Sequence, residues 1–165
     1  MFVHPRLESL VRRFHRVVGP PGTNSIDSGA PFYNVYRTSD DAFMAVGAIE
    51  PHFYTRLLRG LGLADDLADT QHDRTTWPTT KALFADTVAT RSRDDWTAIF
   101  APLDACVTPV LTLDEAPQSP QMSARGTLVA VNGHVEPAPA PRYSTARANR
   151  ASGSMHSNRA SRPPT

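Results

Sequence analysis

The stretch Pro31-Phe32-Tyr33-Asn34-Val35-Tyr36-Arg37-Thr38-Ser39-Asp40-Asp41-Ala42-Phe43-Met44-Ala45-Val46-Gly47 carries the clearest structural statement in the chain. Its first part alternates, with Tyr33, Val35 and Arg37 on one face and Phe32, Asn34 and Tyr36 on the other. That is the side-chain period of a strand. Thr38-Ser39-Asp40-Asp41 supplies turn formers whose short polar side chains bond their own backbone. Ala42 to Gly47 then returns as a second strand, so residues 30–49 read as an antiparallel β-hairpin.

Helical periodicity takes over downstream. Glu50 and Pro51 open a helix, with proline in the first turn, where its missing N–H costs nothing. Phe53, Leu57, Leu58 and Leu61 recur at helical spacing, and Gly60 and Gly62 close the segment. A second helix is expected from Trp77-Pro78 to Thr90, burying Leu83, Phe84 and Val88. A third starts near Asp94, with Asp95 in its first turn and Trp96, Ile99 and Phe100 as its apolar face. Cys106 to Leu111 reads as a short buried strand with Pro109 at its end. Cys106 is then a small buried apolar residue rather than a nucleophile, since no local base accompanies it. The expected class is α+β, a small domain in which an antiparallel hairpin or sheet is packed by about three helices.

The composition agrees with a folded middle between unlike ends. The chain has 165 residues, 17 Lys+Arg and 16 Asp+Glu, for a net charge of +1. Residues 1–20 contribute +3, residues 21–136 contribute −7 and residues 137–165 contribute +5. In residues 1–21, Leu7, Leu10, Val11, Phe14, Val17 and Val18 share a helical face among arginines. This atypical basic amphipathic segment is interrupted by Pro5 and Glu8, so it reads as a docked or frayed helix rather than a targeting element. After Tyr143 no aromatic residue remains and Met155 is the only sizeable apolar side chain, so residues 144–165 are expected to form a disordered basic tail. No apolar run approaches the ~18 residues of a membrane helix, and no specific nucleic-acid reader is present. The lone Cys106 cannot close an intramolecular disulfide, which makes the cytoplasm the expected compartment. Lys81 is the only lysine, the other 16 basic residues being arginine. A GC-rich coding sequence explains that skew and points to a bacterium.

A scan for catalytic motifs removes most classes. No glycine-rich phosphate loop, Cys-x-x-Cys or His-Glu-x-x-His occurs, and the six histidines have no metal-ligand spacing, so no metal is expected. His52 reads as a surface residue. Two carboxylates stand out by context. Asp27 lies in Asn24-Ser25-Ile26-Asp27-Ser28-Gly29-Ala30-Pro31, a polar loop directly before the hairpin, where a rigid scaffold can present a catalytic group. From composition alone the simpler reading is a turn aspartate capping its own backbone. Glu115, in Leu111-Thr112-Leu113-Asp114-Glu115-Ala116-Pro117, is either a site residue or an acid in a helix first turn.

Residues 22–117 resemble the α-methylacyl-CoA racemases of the family III CoA-transferase superfamily. The resemblance rests on Gly22-Thr23-Asn24, on Asp27-Ser28-Gly29-Ala30-Pro31-Phe32-Tyr33 and on Phe43-Met44-Ala45-Val46-Gly47-Ala48-Ile49-Glu50-Pro51. Phe53-Tyr54, Gly60-Leu61-Gly62-Leu63 and Asp104-Ala105-Cys106-Val107-Thr108-Pro109-Val110-Leu111 follow in order, and Pro139-Ala140-Pro141-Arg142-Tyr143 is similar to the next landmark. The Asp-Ser-Gly-Ala-Pro-Phe-Tyr stretch points to racemases rather than transferases.

The resemblance implies proton removal and return at the α-carbon of a 2-methylacyl-CoA thioester, through an enolate. Asp27 would be one acid/base, and Glu115 would orient a histidine acting as the other. CoA enters as part of the substrate, so no separate cofactor is implied and no residue is assigned to binding one. The family's histidine precedes the aspartate in a large nucleotide-binding domain, whereas only 26 residues precede Asp27 here, and neither His4 nor His15 sits in its motif. Ser25-Ile26-Asp27-Ser28 also stands where the family has Met-Leu-Asp-Gly.

The expectation is therefore a linker and small domain over residues 22–143, lacking the large domain. It would be an isomerase-like protein of fatty acid metabolism whose activity requires a homo-oligomeric partner or a complementing racemase half. The alternatives are a non-catalytic remnant or interaction module of a truncated racemase gene, and a family III CoA-transferase. On this reading the charge split marks a boundary between an inherited domain and foreign ends.

Overall fold

A computed structural model of the protein describes residues 20–140. The amphipathic segment up to residue 19, the tail 144–165 and the last part of the Pro-Ala-Pro landmark lie outside the described residues. The chain divides into two compact units, the break in sequence falling between Val110 and Leu111.

The first unit is built on the hairpin. Strands β1 (Tyr33–Arg37) and β2 (Phe43–Gly47) pair antiparallel, with Tyr33 opposite Gly47 and Arg37 opposite Phe43. A third strand, β3 (Val107–Pro109), runs antiparallel to β2 and gives the sheet order β1-β2-β3. The alternation expected from sequence is realised. Phe32, Tyr36, Met44 and Val46 are buried, whereas Tyr33, Val35 and Phe43 face outward and are exposed. The turn closes through its own polar groups. Thr38 Oγ1 donates to Asp40 Oδ1 at 2.5 Å, and the same oxygen accepts the backbone N–H of Arg93 at 3.1 Å. Those bonds hold the Asp40 carboxyl below the usual carboxylate range, the Thr38 hydroxyl being the largest cause.

Three α-helices cover the inner face. Helix α1 (Pro51–Leu61) begins with proline in its first turn and stops at Gly62, whose φ of 70° is the left-handed conformation that glycine adopts at low cost. Residues Asp65–Thr70 form a 3-10 helix. Helix α2 (Trp77–Val88) buries Trp77, Thr80, Phe84 and Val88. Helix α3 (Arg93–Phe100) opens with a capping box in which Ser92 Oγ accepts from the Asp95 N–H while the Asp95 carboxylate accepts from the Ser92 N–H. It buries Trp96 and Phe100. Both indoles are satisfied, Trp77 Nε1 by the Gln71 carbonyl at 2.9 Å and Trp96 Nε1 by the Val88 carbonyl at 2.8 Å.

Some sequence expectations are corrected here. Leu83 is 38% exposed, because Trp77, Thr80, Phe84 and Val88 define the buried stripe of α2 and leave Leu83 beside it. The strand around Cys106 is short and lies at a sheet edge, so it is half-exposed rather than buried. Cys106 itself is exposed, at a φ of 52° just before the strand begins. Tyr54, absent from the expected apolar face, is 1% exposed in the core, and burial pushes its hydroxyl up to about 12.

The second unit is smaller. A 3-10 turn, Ala116–Gln118, precedes helix α4 (Pro120–Arg125), whose N-cap Ser119 accepts from the Met122 N–H. Strands β4 (Leu128–Val131) and β5 (His134–Pro137) then pair antiparallel around Asn132-Gly133, both at positive φ. The class is the expected one: antiparallel strands with packed helices.

Gly60 gives a test of the core. A Cβ there would overlap the Phe100 ring, which is 6% exposed in the core. Gly60→Val should therefore destabilise the first unit by about 2 kcal/mol or more despite removing a helical glycine. A thermal melt showing no loss of Tm would contradict this packing.

Candidate active site

The loop before β1 turns on Asp27, whose carboxylate gathers donors from its own loop. The Gly22 N–H donates to Oδ2 at 3.0 Å, the Asn24 N–H to Oδ1 at 2.6 Å and the Asn24 Nδ2 amide to Oδ2 at 2.7 Å. The Gly29 backbone N–H adds a fourth interaction. Asn24 is only 1% exposed, and its amide also reaches the Pro20 carbonyl at 3.3 Å, so its orientation is fixed from both sides. The close return of the chain needs Gly29, since a Cβ there would run into the backbone of Thr23 and Asn24.

These donors hold the Asp27 carboxyl below the ordinary carboxylate range. The Asn24 side-chain amide is the main cause, with partial burial opposing it and the N–H groups of Asn24, Gly22 and Gly29 assisting. The side chain is half-buried, so the ionised carboxylate stays accessible. At neutral pH it is a fixed proton acceptor whose basicity is tempered by the donors around it. The local alternative, an aspartate capping its own backbone, therefore describes the geometry accurately and is compatible with presenting a charged oxygen.

The loop is strapped from a distance. Arg74 Nη2 donates to the Thr23 carbonyl, and Lys81 Nζ donates to the Ser28 carbonyl at 2.7 Å. Two clefts border the loop. One, of about 380 Å3, is lined by Gly22, Thr23, Gly29, Arg74, Trp77 and Lys81. The other, of about 360 Å3, lies along the outer sheet face, where Ser28 meets Tyr33, Val35, Gly47, Cys106 and Thr108. Tyr33 and Val35 are 38% and 50% exposed and give this groove an apolar wall.

Glu115 belongs to the second unit and does a local job there. Its Oε2 accepts the Thr112 N–H at 2.8 Å while its own N–H donates to Thr112 Oγ1 at 3.3 Å. That reciprocal pair precedes the 3-10 turn and is close to the first-turn reading of this residue. Asp27 and Glu115 thus lie in separate units. His52 is exposed, as expected, with its ring tilted against Phe53 at 3.9 Å. Among the described residues no cluster of His, Cys, Asp and Glu could hold a metal ion.

Asn24, Arg74 and Lys81 were not identified as site residues from sequence. The Asn24-x-x-Asp27 spacing carried a signal for the first, whereas Arg74 and Lys81 act across 51 and 53 residues and left none.

Two measurements test this geometry. Asn24→Ala should raise the Asp27 pKa, read by NMR titration. Because the folded value is depressed, the loop's stabilisation is present above the unfolded pKa and fades as pH falls through the lower folded one, so the variant should lose this acid dependence. Cys106 is exposed, but partial desolvation, followed by the charges of Asp104 and Glu50, pushes the thiol up. Alkylation by iodoacetamide at pH 7 should be slower than for a free cysteine peptide; an equal or faster rate would show that these effects are absent.

Comparison with known proteins places the chain in a family. The model of the family described as "CoA-transferase family III" matches residues 10–164. The chain is 47% identical to α-methylacyl-CoA racemase of Homo sapiens over 123 residues, covering 74% of this chain and 32% of the relative. It is 46% identical to the Mus musculus racemase over 122 residues, with the same coverage. A CaiB/baiF CoA-transferase family protein of Caenorhabditis elegans is 32% identical over 115 residues. The chain thus spans about a third of the length of the curated relatives it matches. The crystal structure of Rv3272 from M. tuberculosis aligns with a TM-score of 0.58 at 15% identity, covering 86% of this chain and 37% of that one, which is a likeness of fold alone. With nearly its whole length matched by the family model, the chain belongs to CoA-transferase family III.

Proposed function

We propose that the chain is the aspartate-bearing part of an α-methylacyl-CoA racemase and that Asp27 is one of its two acid/bases. The observation that carries this reading is the ionised Asp27 carboxylate, held by Gly22, Asn24 and Gly29 within a chain 46–47% identical to racemases. In the reaction, Asp27 takes the α-proton of a 2-methylacyl-CoA thioester and the C–H electron pair moves into the enolate. A second group returns a proton to the opposite face of the α-carbon, inverting it. The reverse direction exchanges the two roles.

The second group would come from a complementing racemase half or another chain of the same family, with Glu115 orienting it. The apolar groove beside Ser28, walled by Tyr33 and Val35, suits a branched acyl chain. No helix among the described residues is long and apolar enough to cross a membrane, and the lone cysteine fits a reducing cytoplasm.

The test is racemisation of a 2-methylacyl-CoA thioester by the chain supplied with the remaining two thirds of a homologous racemase. Asp27→Asn should lower that rate by roughly 100-fold or more, the usual range for losing a positioned acid/base. An unchanged rate removes Asp27 from the chemistry and favours a non-catalytic interaction module instead. Acyl exchange between two CoA acceptors would mark a transferase.

A further inference from the structure

We infer that Lys81 and Arg74 are positioning residues for Asp27, two cations that grip the backbone carbonyls on either side of it and hold its loop in shape. The inference rests on the reading of Asp27 as an acid/base.

The grip is specific in place. Arg74 holds the carbonyl of Thr23, and Lys81 holds that of Ser28, immediately after the aspartate. Each cation is anchored on rigid structure. Lys81 is half-buried on α2, and the Arg74 guanidinium lies 5.3 Å over the ring of Trp77, itself fixed by its bond to Gln71. Neither cation forms an ion pair with a carboxylate among the described residues, although the segment 21–136 carries a net −7. Their donors go to loop carbonyls, and a charged donor makes a stronger bond there than a neutral one.

Ser28 supplies the reason why a grip is needed. It adopts a φ of 71°, a left-handed conformation that is uncommon for a residue with a side chain. Glycine, lacking a side chain, takes that conformation readily. With serine in its place, the backbone left to itself favours negative φ, and a turn of that peptide would carry Asp27 away from the N–H groups of Gly22 and Gly29. The Lys81 ammonium, fixed at 2.7 Å from the Ser28 carbonyl, opposes that turn. A compact point charge on a flexible stem can reach such a single carbonyl.

The experiment is an NMR titration of the Asp27 carboxyl in the full chain, with the Trp77 and Trp96 indole N–H signals as a measure of the fold. Lys81→Gln should leave both indole signals in place and move the Asp27 midpoint up by about half a pH unit, as its loop donors lose alignment. Lys81→Arg should restore most of that change, and Arg74→Gln should give a smaller one. In a Ser28→Gly background the effect of Lys81→Gln should shrink by about half, because glycine holds the conformation without help. An Asp27 midpoint identical in wild type and Lys81→Gln, with the indole signals intact, overturns the proposal. So does an undiminished effect in the Ser28→Gly background, which also serves if Lys81→Gln alone disturbs the fold. In the complemented racemase, Lys81→Gln should lower kcat about tenfold with little change in KM. A complemented protein that racemises nothing defeats the reading of Asp27 as an acid/base but leaves the titration result standing, so the two failures are distinguishable.

Discussion

Phe32 is the point at which the sheet, two helices and the candidate site are tied together. Its ring is 1% exposed and meets Tyr54 of α1, His72 and Trp77 of α2 edge-on, each at 5.8 Å between centroids. Full burial of such a side chain contributes about 1.5–3 kcal/mol. Each edge-to-face pair adds roughly 0.5–1.5 kcal/mol, which is a large share of the 5–15 kcal/mol that holds an ordinary domain together. The residue just before it, Pro31, offers its carbonyl to the buried Tyr36 hydroxyl at 2.6 Å. The site loop therefore enters the sheet through a segment that cannot move without unpacking the core.

The hairpin and the helices were legible from sequence because period-two and period-3.6 apolar patterns are local, and the turn chemistry of Thr38 to Asp41 agrees with them. Where the reading failed, the missing information was non-local. Nothing near Cys106 says that its strand will be an edge, and nothing near Leu83 says which stripe of α2 will find a partner. The β4–β5 hairpin is a different case: Asn132-Gly133 is a strong local turn signal, masked in the sequence by the proline-rich segment that follows it. At the site, Asp27 was legible as a candidate from its loop. Its donors were not, because three of them are N–H groups whose direction depends on backbone conformation.

The acidity of the middle segment also has a structural explanation. Its ion pairs, such as Arg37–Asp41 and Arg56–Asp104, both at 2.8 Å, sit on the surface, where such pairs contribute little. Many carboxylates instead accept backbone N–H groups. Asp40 takes that of Arg93, Asp73 that of Thr75, Asp95 that of Ser92 and Glu115 that of Thr112, and Asp27 does the same at the candidate site. Part of the excess of Asp and Glu is thus accounted for by the backbone N–H groups that turns and helix starts leave to be satisfied. A basic binding partner is not required to account for it.

Pro109 has a consequence for how anything larger can be assembled around this sheet. It sits in the outermost strand, paired with Met44 on one side, and it has no N–H to offer on the other. A further chain laid alongside would find a gap in the ladder, so extension by strand addition is discouraged there, as it is at many natural sheet edges. Widening of the sheet on that side is therefore disfavoured by a single ring, at the cost of one ladder bond that the fold itself does not use.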